Sequence, residues 1–327
     1  MKMKNALWLC AALIVMAGCG GPQKQATTNE PTPTDKVHKI GFFQYTSTTS
    51  LDDLREGFKE GLKDEGFEEG KNLQVDWKNA QGDTSSLGVI VQSFVSNDVE
   101  LIGLCSTQAL QAVLSQGDGK RPVVFCGVID PAAAGAVDRN GKVKGEITGV
   151  SNPFPIAEGV ALVRKLMPDA VILGTLYDPS EAFSETQLAQ FNKACEDNQF
   201  VPATVSVSSA TEIAPGIQSL SAKGTKAILQ LPSNTMSAGI EGLTEAAKGF
   251  KIPVFSLQPD MIRKGVVAAV GVDLRAAGRS AGRKAGQILK GKKAADFPIE
   301  AEPSRTRGGD AGVASQYGIT LPVDFSQ

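Results

Sequence analysis

Two stretches of this chain follow one plan, and the repetition restricts what it can fold into. In AVILGTLYDPSEAFSETQLAQF, residues 170–191, an apolar run from Val171 to Tyr177 breaks off at Asp-Pro-Ser-Glu. A helical pattern follows, with Leu188, Phe191 and Cys195 spaced three and four apart. Residues 39–58 do the same: KIGFFQY, then TSTTS, then LDDLREGF. Each unit reads as a buried strand, a polar loop and a helix. A chain that begins an α/β unit twice over 327 residues has room for two lobes of ordinary domain size.

Between these units the alternation continues. Strands are expected at Val37–Gln44, Asn72–Trp77, Glu100–Cys105, Pro122–Val128 and Gly145–Val150, with helices between them. The second lobe follows with helix Ile156–Leu166, strand Val201–Ser206, a helix near Glu212–Ala222 and strand Lys226–Leu231. Helix Ala238–Phe250 and strand Pro253–Leu257 complete the repeat. Apolar strands alternating with helices predict parallel sheets covered on both faces. Ligands of such sheets bind beyond the carboxyl ends of the strands. With two lobes facing each other, those ends form one cleft. Helix Ala276–Lys290 sets Gly278, Gly282 and Gly286 four apart, with Arg275, Arg279 and Arg283 nearly opposite a small apolar face. That pattern reads as close packing on a sheet with a solvated basic face, or as a basic docking patch. Phe297–Phe325 reads as a tail of one strand and a short cap.

The first 36 residues stand apart from this pattern. Lys2 and Lys4 precede an apolar run, Ala6–Ala17, too short to span a bilayer. Met16-Ala17-Gly18-Cys19 resembles a bacterial lipobox, which predicts a signal peptide over 1–18 and lipidation of Cys19. Residues 19–36 lack apolar periodicity and read as a flexible tether. Export implies an oxidising setting. After Cys10 leaves and Cys19 is acylated, Cys105, Cys126 and Cys195 remain, an odd number that implies no disulfide framework. Cys105 and Cys126 both end apolar runs, so a bridge between them and a pair of buried thiols are both open.

Most enzyme signatures lack their material. His38 is the only histidine, which removes a Ser-His-Asp triad and a His-rich metal site. No phosphate loop, no GxGxxG after a strand and no CxxC pair occurs, so no cofactor is expected. A net charge of −2 argues against nucleic acid. The expected strand ends instead carry Thr46, Ser47, Ser106, Thr107, Ser233, Asn234 and Thr235, with acids at Asp130, Asp178 and Asp273. Helix starts beyond such loops suit a carboxylate, and an opposing aspartate suits an ammonium. The set fits a zwitterionic or polar small molecule, although any one Ser or Thr is as readily a helix cap. Asp178 with Glu181 also supplies two carboxylates for acid–base work, against which stands simple capping.

The sequence resembles the ABC-transporter substrate-binding lipoproteins of the tryptophan/tyrosine-type group. Ile40-Gly41-Phe42-Phe43-Gln44, Leu51-Asp52 with Arg55, Asn79-Ala80-Gln81-Gly82-Asp83 and Asp130-Pro131 carry the likeness in the first half. Thr148-Gly149-Val150-Ser151, Leu176-Tyr177-Asp178-Pro179-Ser180-Glu181, Ile252-Pro253-Val254-Phe255, Gly271-Val272-Asp273 and Tyr317-Gly318-Ile319-Thr320-Leu321-Pro322 extend it to the end. The resemblance implies a type I periplasmic-binding-protein fold: two Rossmann-like lobes around an interlobe cleft, with three chain crossings. Lobe 1 is then expected at 37–150 plus 265–293, and lobe 2 at 151–264 plus 294–327.

It also implies ligand capture in the cleft and delivery to a membrane permease by a monomer. The expected ligand contacts are the strand-end residues above together with Gln44, Tyr45, Tyr177, Glu181, Ser184 and Gln258. Phe43, Phe154 and Phe183 join Tyr45 and Tyr177 as flat surfaces for stacking. The chain departs from the family at Thr48-Thr49, Asp178, Leu257-Gln258 and Leu274, all in the expected cleft. A sensory lipoprotein presenting its solute to a receptor, and an exported enzyme using Asp178 and Glu181, are the competing readings.

Overall fold

The computed structural model describes residues 36–325, apart from Arg139, Ala182 and the side chain of Asn234. The expected signal peptide, Cys19 and all but the last residue of the tether lie outside the described residues.

The elements of the first half are β1 (His38–Gln44), α1 (Thr49–Asp64), β2 (Leu73–Asn79), α2 (Thr84–Ser96), β3 (Leu101–Cys105), α3 (Thr107–Gln116), β4 (Val123–Val128) and β5 (Ile147–Ser151). Next come α4 (Ile156–Leu166), β6 (Ile172–Tyr177), α5 (Ser184–Asp197), β7 (Val201–Ser206), α6 (Ile213–Ala222) and β8 (Ala227–Gln230). The chain ends with α7 (Asn234–Ala238), α8 (Ile240–Gly249), β9 (Val254–Ser256), β10 (Ala268–Val272), α9 (Leu274–Leu289), β11 (Glu300–Ala301), β12 (Arg305–Gly309) and α10 (Ala311–Gln316). The helix expected over 238–250 is α8, and a short helix not expected, α7, precedes it in what reads as the loop after β8. Gly239 separates them, and a Cβ there would overlap Ile213.

Two six-stranded sheets result, ordered β11-β5-β4-β3-β1-β2 and β12-β10-β9-β8-β6-β7. Every pairing is parallel except that of β12 with β10. Five strands of each sheet repeat one order, β2-β1-β3-β4-β5 and β7-β6-β8-β9-β10. Each sheet therefore has its own switch point, between β1 and β3 and between β6 and β8, where the winding reverses.

The late lobe boundaries differ from the expectation. β10 was expected in lobe 1, but Ala268 and Ala269 pair with Phe255 and Ser256 of the second sheet. The chain does turn near Lys264, where Gly265 takes a φ of 87°, but it returns to the same sheet. The crossing comes at Asp273, so of the stretch 265–293 only α9 and the residues after it join lobe 1. Residues 294–301 were expected in lobe 2. Instead, Glu300 pairs with Val150 and Thr148 Oγ1 donates to Phe297 O at 2.9 Å, placing β11 on the first sheet.

α9 packs on α1 with almost no side chain between. A methyl on Gly57 or Gly61 would overlap the carbonyls of Arg275 or Arg279; one on Gly278 or Gly282 would overlap those of Leu54 or Phe58. The arginines meet acids of α1: Arg275 with Glu60 at 2.6 Å, Arg279 with Asp64 at 2.7 Å and Arg283 with Asp64 at 2.8 Å. Those ion pairs account for the basic face without a docking partner. Cys105 and Cys126 sit opposite each other on β3 and β4 as free, fully buried thiols. Burial raises the pKa of both and takes the Cys195 thiol up to about 12.

Each crossing joins the carboxyl edge of one sheet to that of the other. β5 runs into the start of α4, which returns antiparallel to β6. β10 ends at the start of α9, and β12 begins where Arg305 faces Val272, the last residue of β10. The two carboxyl edges therefore face each other. The crossings are also tied together. Glu302 N donates to Ser151 O at 2.9 Å, and Asp273 N donates to Ser304 O at 3.0 Å. The buried Glu302 carboxylate accepts from Ser280 Oγ of α9 at 3.1 Å, while Arg305 pairs with Glu158 of α4 at 2.8 Å.

Candidate functional site

The lobe 1 edge is a braced loop. Gln44 ends β1 fully buried, and its whole amide is engaged. Nε2 donates to Thr46 O at 2.8 Å and Asp52 Oδ1 at 3.0 Å, and Oε1 accepts from Arg55 Nη1 at 3.3 Å. Gln44 supports the loop rather than presenting a free group. Tyr45 donates its hydroxyl to Gly82 O at 2.6 Å, and Ser47 Oγ accepts from Asn79 Nδ2 at 2.7 Å, fastening the loop to the end of β2. Thr48 caps α1 by accepting from Leu51 N. Asp130 Oδ1 accepts from Ala132 N and Ala133 N, both at 2.9 Å, closing its own turn.

Ser106, on the other side of this switch point, has φ 110° and ψ 155°, a region that glycine normally occupies. Its Oγ accepts from Ala109 N at 3.2 Å, so the residue is also the cap of α3. Thr107 opens α3, half-buried, and its hydroxyl makes no hydrogen bond with a described residue. The first amides of α3 point toward the facing edge, as amides do at the start of a helix.

The lobe 2 edge is built around two carboxylates. Asp178, just beyond β6, is 3% exposed. Its Oδ1 accepts from Ser180 N at 2.9 Å and Ser180 Oγ at 2.6 Å, and its Oδ2 accepts from Thr235 Oγ1 at 2.6 Å. The Ser180 hydroxyl first, then the Thr235 hydroxyl and the Ser180 amide, hold its pKa below the usual carboxylate value. Glu181 Oε1 accepts from Ser233 Oγ at 3.0 Å and Thr235 N at 3.1 Å. Its Oε2 accepts from no described residue. Neither carboxylate meets a lysine or arginine among the described residues. The loops after β6 and β8 are thus stitched together across the switch point by two carboxylates. Ser233 also caps α7 by accepting from Met236 N. Ser184, at the head of α5, is buried and donates its amide to Glu181 O. Tyr177 and Phe183 remain half-exposed beside this cluster.

Two candidates lie elsewhere in character. Asp273 is the cap of α9, accepting from Ala276 N at 2.9 Å at a crossing. Phe43 is fully buried in the lobe 1 core, edge-on to Phe94 at 5.8 Å, which removes it from stacking. Gln258, beyond β9, joins a network that sequence reasoning missed, made of Gln230, Ser237 and Ser256. A glutamine and a serine ending buried strands were the available signal. Among the described residues no group of His, Cys, Asp and Glu could hold a metal.

Residues 39–324 match the family described as ABC transporter substrate binding protein. A tyrosine-binding protein from Clostridioides difficile is 30% identical over 305 residues, covering 91% of this chain and 88% of that protein. Among solved structures, an ABC domain from Streptococcus pneumoniae in complex with L-Trp is 30% identical, with a TM-score of 0.75. The match covers 89% of this chain and 97% of that one. A substrate-binding protein with adhesive properties from Clostridium difficile, in a ligand-free, open form, is 27% identical with a TM-score of 0.79, covering 88% and 97%. Family match, strand order and facing carboxyl edges agree: the chain belongs to the ABC-transporter substrate-binding proteins, with the type I periplasmic-binding-protein fold.

Proposed function

We propose that the cleft takes a zwitterionic amino acid, with an aromatic side chain the first to be tested, and hands it to a membrane permease. The observation that carries this reading is the lobe 2 edge, where Asp178 and Glu181 meet hydroxyls and amides but no lysine or arginine among the described residues. A ligand ammonium supplies the missing positive group, with Glu181 Oε2 as the open acceptor. The α3 amino terminus beside Ser106 and Thr107 faces a carboxylate. Tyr177 and Phe183 offer flat faces to a ring. The tyrosine and tryptophan named for the relatives support the aromatic choice.

Ligand contacts from both edges favour the closed lobes, and only contacts better made in the closed form shift that balance. The tied crossings at Ser151, Asp273 and Glu302 are where the chain bends. The family places the protein outside the cytoplasm. No helix among the described residues is long and apolar enough to cross a membrane. Attachment there falls to lipid on Cys19, with the chain acting as a monomer. An enzymatic use of Asp178 is disfavoured because three donors already hold its carboxylate ionised, which suits neither a general acid nor a free base.

The test is thermal unfolding of residues 35–327 against a panel of amino acids, purines and small polyols. An amino acid at about a hundred times its Kd adds roughly 2.7 kcal/mol, a shift of several degrees. A shift with purines or polyols alone would overturn the zwitterion reading. Recovery of the bound compound in altered form would favour the enzyme.

A further inference from the structure

The polar network around Gln258 has a direction, and that direction ends at the cleft. Leu231 O can only accept, so the Gln230 amide that meets it at 2.7 Å must present Nε2. Gln230 Oε1 then lies on the other side, where the Ser256 hydroxyl donates to it at 2.5 Å. Having donated, Ser256 Oγ accepts from Gln258 N at 2.9 Å. The second Gln230 Nε2 proton points to Gln258 at 3.1 Å, so the Gln258 atom there must be Oε1. Ser237 Oγ donates to the same oxygen at 3.0 Å. A flipped Gln258 would set its NH2 against the Gln230 NH2. Its orientation is therefore fixed from the buried end of the chain outward.

The consequence lies at the other end of the amide. Gln258 Nε2 carries two protons and meets no acceptor among the described residues. It is not among the buried polar atoms lacking a partner, so it reaches solvent. It stands beyond β9, on the carboxyl edge that faces lobe 1. We infer that Gln258 is a specificity-determining residue that accepts only a hydrogen-bond acceptor from the ligand, and that the group it reads is a carboxylate. Rotation of the amide to receive a donor would break its bonds to Gln230 and Ser237. Lobe 2 thus distinguishes two ends of a ligand: Glu181 and Asp178 select a donor, and Gln258 selects an acceptor. This rests on the amino-acid reading of the cleft proposed above.

The test measures calorimetric Kd values for L-tyrosine and for tyramine, which lacks the carboxylate, on the wild type and on Gln258→Glu. Glutamate keeps an oxygen for Gln230 and Ser237 and turns only the outward group into an acceptor. The ligand-free melting temperature checks that the network survives. Wild type should prefer L-tyrosine, and Gln258→Glu should lose at least about thirtyfold toward it through like-charge contact while holding or gaining toward tyramine. A Gln258→Glu protein that binds L-tyrosine as tightly as wild type, or loses both compounds equally, would overturn the role of Gln258. Wild type that binds neither compound would instead overturn the underlying reading of the cleft. Ser237→Ala, which loosens the amide without touching the ligand, should narrow the preference for L-tyrosine by a smaller factor; an unchanged preference would contradict the fixed orientation.

Discussion

The two lobes share a strand order but use their strand ends differently. At the lobe 1 switch point nearly every polar side chain serves the loop itself: Gln44 braces it, Thr48 and Ser106 cap helices, and Tyr45 and Ser47 fasten it to the end of β2. At the lobe 2 edge the same residue types stitch two loops together yet leave a carboxylate oxygen of Glu181 and, beyond β9, the amide nitrogen of Gln258 without a partner among the described residues. The lobes also differ away from the cleft. Lobe 1 holds a helix pair in backbone contact, α1 with α9, the latter entering directly from the lobe 2 strand β10. In the proposed reading this is a division of labour: lobe 1 supplies a rigid wall with helix amino termini, and lobe 2 supplies side-chain recognition.

The sharpest break between the lobes is expected at the α1–α9 seam. Gly61→Ala with Gly282→Ala forces backbone apart and should cost about 3 kcal/mol, read as a lowered denaturant midpoint. Amino-acid selectivity should not change. Lost selectivity with unchanged stability would contradict the division. The converse variant is Asp178→Asn, which keeps the shape but removes the charge. It should weaken amino-acid binding by about ten- to a hundredfold, from a charged hydrogen-bond energy of about 1.5–3 kcal/mol, in calorimetric titration.

Ser106 gives a smaller effect with an unusual sign. Its φ of 110° costs about 1–3 kcal/mol, whereas glycine at a cap position loses only a few tenths. Ser106→Gly should therefore stabilise by about 1 kcal/mol in chemical denaturation. Ser106→Ala, which keeps the strain and drops the cap, should destabilise by about as much. Identical effects of both would show that the backbone there is relaxed.

The smallest effect is pH-dependent and is read at the α1–α9 seam of lobe 1. Hydrogen bonds from Arg279 and Arg283 hold Asp64 well below the usual carboxylate range; Arg275 lowers Glu60 and Lys290 lowers Glu65. A carboxylate depressed in the folded state contributes fully above its unfolded pKa of about 4 and loses that contribution as pH falls further. The melting temperature should stay level from neutral pH to about pH 5 and fall below about pH 4. Asp64→Asn should flatten that fall. An equal slope in both proteins would remove the seam's ion pairs from the account.

Much of this organisation was legible in the residues. The apolar runs ending at Gln44, Cys105 and Tyr177 marked strand ends, because buried parallel strands carry continuous apolar sequence and their loops do not. The boundary at Asp273 was not legible. A turn near Lys264 looks like a crossing, and only the pairing of Ala268 with Phe255 shows that the chain stays in its sheet. Local sequence does not encode which edge a strand joins. Nor does it tell a capping hydroxyl from a free one: Ser106 caps α3, whereas the adjacent Thr107 hydroxyl meets no described residue. The direction of the Gln258 amide depends on Leu231 O, 27 positions away in sequence, through Gln230. The glycine spacing of α9 did announce close packing, but α1 as its partner came only with the fold.

The most direct test of the central claim is hydrogen exchange on the wild type with and without saturating L-tyrosine. The account predicts slowed exchange at both facing edges, over 106–109 in lobe 1 and 178–181, 233–236 and 258 in lobe 2, with the greater change in lobe 2. Protection confined to one lobe, or placed away from these strand ends, would contradict capture between the lobes.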